Sequence, residues 1–139
     1  LKSPLQNTLV CVFGLFAGSV INMLLIAAGP LLIPLPAGLD MSTPAGIRRS
    51  LPVLPAVNFV FPWLAHAAGT LCGACIASRF AAGGSAWPAM IIGVVFLSGG
   101  LAMVFLTGGP GWFLALDLAL AYIPMAWLGH SLGRREASN

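Results

Sequence analysis

Residues 56–80 read AVNFVFPWLAHAAGTLCGACIASRF, and the only formal charge among them is Arg79, next to the end. A helix needs ~20 apolar residues to cross a ~30 Å hydrocarbon core, so this stretch is long enough to span a bilayer. Its internal pattern is more informative than its length. Ala65, Gly69, Gly73, Ala77 and Ala81 recur at every fourth position. Asn58, Pro62, His66, Thr70, Ala74 and Ser78 form a second row with the same spacing. At ~100° per residue the two rows adjoin and make one small-and-polar face. Val60, Leu64 and Leu71 fall on the opposite side, toward lipid. Small residues let helix backbones approach closely, which is how helices associate where lipid removes the hydrophobic drive. This helix is therefore expected at the centre of a bundle. Pro62, in its second turn, is expected to kink it without breaking it.

Three further segments of the same kind lie around it: Thr8–Ala28, Pro88–Leu106 and Trp112–Leu132. Together the four fill most of the 139 residues, of which 59% are hydrophobic and 6% charged, with mean hydropathy +0.99. A soluble domain carries about a quarter charged residues. The expected fold class is all-α: a polytopic membrane protein whose four transmembrane helices, 56–80 being the second, form an antiparallel bundle in one domain, 1–139. Lys2, Arg79, Arg134 and Arg135 fall on one side of such a bundle, and Arg48 and Arg49 on the other. Positive charge stays cytoplasmic, so both termini and the turn 81–87 are expected in the cytoplasm of a bacterial inner membrane. The loop 29–55 and the turn 107–111 then face outward. The first residue is Leu1 rather than Met, consistent with a missing or processed N-terminal piece. The first span is long for a signal-peptide core, and Gly14, Gly18 and Asn22 interrupt it, which argues against cleavage.

That first span also carries Gly14 and Gly18 as a GxxxG motif, with Asn22 one turn further along the same stripe. Packing within the chain and contact with a second copy are both open to it. The third span, with Ala89, Gly93 and Gly100, reads as scaffold, and the fourth contains Asp117 and Pro124. The only substantial loop, 29–55, contains Pro30, Pro34, Pro36, Pro44, Pro52 and Pro55, too many for a long helix. One short helix fits: Ser42 or Thr43 as its cap, Pro44 in its first turn, and Pro52 at its end. Ile47 and Leu51 share a face of that helix beside Arg48 and Arg49, as in an interfacial helix lying on the outer membrane surface.

Leu35-Pro36-Ala37-Gly38-Leu39-Asp40, followed by Leu51-Pro52 and by Gly69-Thr70-Leu71-Cys72-Gly73-Ala74, resembles an uncharacterised family of small four-span bacterial membrane proteins with a Pro-rich first loop. Pro110 and Trp112 match the turn of that family's last hairpin. Thr43 and Gly46 stand where that family has acidic residues. The resemblance implies the four-span architecture and no activity.

The polar residues inside the spans gather toward the outer side. Asp117 lies roughly 8 Å below Trp112, Asn22 roughly 9 Å below Ala28, and His66 roughly 15 Å below Ala56. Asn58 lies near the outer end of its helix. The inner half is expected to be apolar apart from small hydroxyls and thiols. An ionised carboxylate in hydrocarbon must pair, neutralise or reach water. His66 on a neighbouring helix is a natural partner for Asp117, and Arg48 or Arg49 could cap it from the loop beside Asp40. The cluster Asp117, His66, Asn22 and Asn58 is then either a polar clamp fixing the packing or an outward-facing ion, proton or ligand site.

His66 among small residues could also ligate a haem or pigment metal, but His130 lies too far off in depth to be a second ligand. Cys72-Gly73-Ala74-Cys75 forms a CxxC, yet thiol oxidation chemistry needs access and a relay pair, and the outer loop has no cysteine. No nucleotide-binding loop, zinc spacing or catalytic triad order stands out, so no enzyme activity, cofactor, metal or nucleic-acid partner is expected. The sequence points to a non-catalytic accessory or scaffold subunit of a larger membrane assembly. Its partners are then the lipid bilayer and other membrane subunits or itself. A small transporter or channel using Asp117 and His66 is the alternative.

Overall fold

The computed structural model describes residues 2–137, which are helical with no strand. Helix α1 is Lys2–Leu32, α2 Pro44–Ser50, α3 Val60–Phe80, α4 Trp87–Thr107, α5 Gly111–Leu120 and α6 Ile123–Ala137. Short 3-10 turns at Leu51–Val53, Ala56–Phe59 and Ala82–Gly84 connect them. Four stretches are long and apolar enough to cross a membrane: Pro4–Leu32, Ala56–Phe80, Trp87–Thr107 and Gly111–Arg135.

At three prolines the structure differs from the sequence reading. Helix α1 runs through Pro30 to Leu32, and the Ile33 N–H still bonds the Gly29 carbonyl at 2.8 Å. One missing N–H in a last turn does not end a helix. Pro62 follows a 3-10 to α transition at Phe59–Val60 and sits in the first turn of α3. In that turn an N–H has no intrahelical partner to lose, so Pro62 removes none of the bonds within α3. The fourth span is not one helix. It breaks at Ala121–Tyr122, because Pro124 has no N–H for the Leu120 carbonyl and its ring crowds that oxygen.

Helix α3 is flanked by α1 and α6, with α4 packed between them. Three glycine pairs set these contacts. A Cβ on Gly14 would lie 2.6 Å from the Gly73 carbonyl oxygen, and one on Gly18 would lie 2.5 Å from that of Gly69. In return, Cβ atoms on Gly69 and Gly73 would lie 2.8 Å and 2.6 Å from the carbonyls of Gly18 and Gly14. The GxxxG of α1 is thus spent on the GxxxG of α3 inside one chain, where it is not available to a second copy. On the other flank, Gly129 and Gly133 of α6 would strike the carbonyls of Leu71 and Cys75. Ala65 and Ala77 are fully buried on α3, with Ala74 and Thr70 beside them. Val60 and Leu64 face outward as expected, but Leu71 is half-buried, since its turn meets α6.

At the end of the bundle that holds both termini, Asn7 accepts from the Ala82 N–H at 2.7 Å and Gln6 donates to the Phe80 carbonyl at 2.9 Å. These bonds tie α1 to the end of α3 and its turn. At the opposite end, Thr43 caps α2 by accepting from the Gly46 N–H at 3.0 Å, with Pro44 in the first turn. Pro52 does not stop the chain there but continues it as a 3-10 turn. Asp40 holds this segment together. Its carboxylate accepts from the Ser42 N–H at 2.9 Å, the Ser42 hydroxyl at 2.6 Å and the Thr43 hydroxyl at 3.2 Å. The Ser42 side-chain and backbone bonds, with lesser help from Thr43 and Arg49, hold its carboxyl below the usual carboxylate range. Any Cβ at Gly46 would collide with that carboxylate. An acidic side chain at position 46 is therefore incompatible with Asp40 as it sits here.

Candidate functional site

His66 lies on α3, Asp117 on α5 and Tyr122 in the break between α5 and α6. His66 Nδ1 is 2.8 Å from Asp117 Oδ1 and 3.0 Å from Oδ2. The Tyr122 hydroxyl donates to Asp117 Oδ2 at 3.0 Å and lies 3.0 Å from His66 Nδ1. Its ring stacks on the imidazole with centroids 5.6 Å apart. The carboxylate is thus supplied with two donors in a place where it is only 4% exposed. That satisfies the requirement for keeping a polar group inside apolar surroundings.

Tyr122 was missed by sequence reasoning for a geometrical reason. Residues five apart on a straight helix lie ~140° apart and do not meet. The Pro124 break brings them onto one side. Gly100 on α4 gives the phenol its room, because a Cβ there would collide with the Tyr122 hydroxyl oxygen. The only signal in the sequence was the pairing of a lone Tyr with a nearby Pro.

The other expected members lie elsewhere. Asn22 packs its Cα and Cβ against Gly69, 3.6 Å and 3.1 Å from where a Cβ would sit. It is a packing residue of the α1–α3 contact. Asn58 donates to the carbonyls of Ile33 and Pro34, both at 3.3 Å, fastening the exit of α1 to the start of α3. Arg48 does not reach Asp117. It donates to the carbonyls of Phe105 and Leu106, with the shortest bond 2.7 Å, at the C-terminal end of α4. Those last carbonyls lack helical donors, and a cation there also complements the helix dipole. Arg49 is exposed and near Asp40 only as a charge. Lys2 begins α1, whereas Ser138, at the expected cytoplasmic tail, lies outside the described residues.

The terminal half of the bundle is less apolar than expected. Ser78 and His130 are both buried, their Oγ and Nδ1 2.9 Å apart across the α3–α6 contact. His130 is thereby engaged far from His66 and cannot supply a second ligand to anything bound there. No group of three or more metal-ligating side chains occurs among the described residues, and none of the three cysteines is in a disulfide.

A cavity of about 360 Å³ opens beside the cluster. His66, Asp117 and Asn58 are among the few polar side chains in its wall, and the rest is largely aliphatic and aromatic. Leu35, Met41, Ile47, Leu51 and Leu54 of the Pro-rich segment cover it. With Nδ1 taken up by Asp117 and Tyr122, His66 has Nε2 to offer. Trp63 Nε1 is the one buried side-chain nitrogen or oxygen without a partner among the described residues. The unbonded Nε2 of His66, whose side chain is 25% exposed, is therefore accessible. In a neutral imidazole, a carboxylate on Nδ1 selects the tautomer in which Nε2 carries the lone pair. The site can accept a hydrogen bond or a proton, and it offers a single ligating nitrogen. Comparison with protein families, with curated proteins and with solved structures finds no match to this chain.

Proposed function

We propose that this chain is a small, non-enzymatic protein of the bacterial inner membrane that binds an apolar small molecule in the cavity under its Pro-rich loop, with His66 as the polar anchor. The observation that carries this reading is the accessible Nε2 of a histidine locked by Asp117 and Tyr122 at the wall of an otherwise apolar cavity of about 360 Å³. Ligand sites are commonly apolar pockets of this size with a few placed polar groups. Binding fits better than conduction. Along α3 below His66, Thr70, Ala74 and Ala77 are fully buried, as are Ile92 on α4 and Ala126 on α6, so the site has no continuation through the bundle. Mass spectrometry of an organic extract of the gently purified protein tests the reading. A small molecule should be recovered in stoichiometric amount from the wild type and lost from Ile47→Trp, which fills the cavity from the loop. Recovery of nothing, or of the same molecule from both, would overturn it.

A second reading, an accessory or scaffold subunit of a larger membrane assembly, is supported by the self-satisfied Asp117 carboxylate and by the broad apolar flank of α1. Phe13, Phe16, Met23 and Leu24 on that flank are each more than half exposed. Its test is purification from native membrane, where other membrane subunits should accompany the chain in fixed ratio. A monodisperse single chain would count against it. The distribution of Lys and Arg supports cytoplasmic termini.

A further inference from the structure

The cavity wall is half-buried or buried where the loop lies and exposed only at residues of α1 and α4, and that difference bears on what can enter it. Helices α1 and α4 run in the same direction and touch near their middles. There, a Cβ on Gly14 would meet Ile92 and one on Gly18 would meet Phe96. Toward the loop, the cavity is lined by Ile26 and Pro30 from α1 and by Met103 from α4. These three are the exposed residues of the cavity wall, with Ile26 38% and Met103 47% exposed. The loop residues over the cavity are all buried or half-buried. Arg48 fastens that cover to α4, and Asn58 fastens its first residues to the start of α3, both through backbone carbonyls.

The polar groups of the wall are mostly acceptors. His66 Nε2 carries a lone pair, and the wall contains no Lys or Arg. An apolar wall with an uncommitted acceptor is complementary to an alkyl chain ending in a hydrogen-bond donor. It disfavours an anion, whose charge would meet the Asp117 carboxylate with no cation in the wall.

We propose that the cavity admits a single-chain lipid alcohol sideways from the hydrocarbon, between α1 and α4, and that its hydroxyl donates to His66 Nε2. This rests on the ligand-binding reading above and adds the headgroup and the route.

Three probes of equal chain length separate the possibilities: hexadecanol, hexadecanoic acid and hexadecane, each added to the protein in nanodiscs and quantified on it after exchange. The alcohol should be retained about fivefold or more over the alkane, roughly the worth of one net hydrogen bond, and over the acid as well. His66→Phe should erase the preference over the alkane. Met103→Trp lies away from the histidine and should slow alcohol uptake by narrowing the gap, whereas Arg48→Ala, which frees the loop cover, should leave the uptake rate unchanged. Equal retention of all three probes, with loss in Ile47→Trp, would overturn the headgroup assignment and leave ligand binding standing. Tighter retention of the acid would overturn it too. Unchanged uptake in Met103→Trp would overturn the lateral route. No retention of any probe above Ile47→Trp would overturn both this proposal and the reading beneath it.

Discussion

His66 makes all of its side-chain hydrogen bonds through one nitrogen, to Asp117 on α5 and Tyr122 in the break that follows it. The cluster can therefore be dissected one group at a time. Asp117→Asn keeps an oxygen that can accept from both donors, and interhelical polar bonds in membranes average ~0.6 kcal/mol, so its loss of stability should be ~1 kcal/mol or less. Asp117→Leu strands the imidazole N–H and the phenol together, each at ~1–3 kcal/mol, and should be several-fold worse. Unfolding in mixed detergent micelles measures both. Equal losses would mean that the carboxylate contributes no hydrogen-bond energy. Asp40 allows a test of pH. Its carboxyl is held below the usual range by Ser42 foremost, so its contribution to the loop is complete above the ordinary carboxylate pKa, ~3.9. It is lost only as pH falls through the lowered value. Exchange of the Ser42 amide should stay slow from neutral pH to about pH 4 and speed up in stronger acid beyond the intrinsic trend. Acceleration near pH 6 would point to another group.

Along α4, two adjacent glycines should behave in opposite ways. A Cβ on Gly99 would meet nothing within 4 Å, whereas one on Gly100 would collide with the Tyr122 hydroxyl. Gly99→Ala should be neutral or stabilising by up to ~1 kcal/mol, the helix-propensity difference. Gly100→Ala should destabilise by ~1–3 kcal/mol, since the phenol must leave its bonds to make room. At the α1–α3 crossing the obstacle is backbone, which cannot swing away. Gly73→Ala should therefore cost more than Gly100→Ala, and Gly73→Leu should prevent assembly. Thermal unfolding in one detergent ranks the four. If Gly99→Ala and Gly73→Ala fell together, the faces would be misassigned.

For the whole molecule, the consequence of stacking three glycine pairs around α3 is that the bundle is tight at its middle and terminal end and opens toward the loop. Asn7 and Gln6 close the terminal end, and Ser78 with His130 stitches α3 to α6 there. The sense of insertion follows from charge rather than packing. In intact cells of a variant lacking Cys11, Cys72 and Cys75, an impermeant thiol reagent should label Ser42→Cys and leave Ser138→Cys unlabelled. The reverse pattern would turn the molecule over, so that the cavity lay in the inner leaflet.

Composition and periodicity were enough to determined the class: four apolar stretches, few charges and a small-residue face on α3 admit a helical membrane bundle and little else. They also located Asp117 and His66, because a carboxylate inside hydrocarbon has to be partnered. The short loop helix was legible too, since Thr43 and Pro44 act on neighbours within a few residues, whereas the bonds of Asp40 to Ser42 and Thr43 were not anticipated. What lay beyond the sequence was everything that depends on which helices meet. Tyr122 joins the cluster only through a proline break that alters the helical register. Asn22 and Asn58 share its approximate depth but face other partners, and Arg48 finds helix-end carbonyls before it can reach a carboxylate. The cavity takes its wall from α1, the loop, α3, α4 and α5 together, which no single stretch of sequence reports. Depth along a helix is fixed by residue count, whereas rotation about the bundle is fixed by packing among all the helices at once.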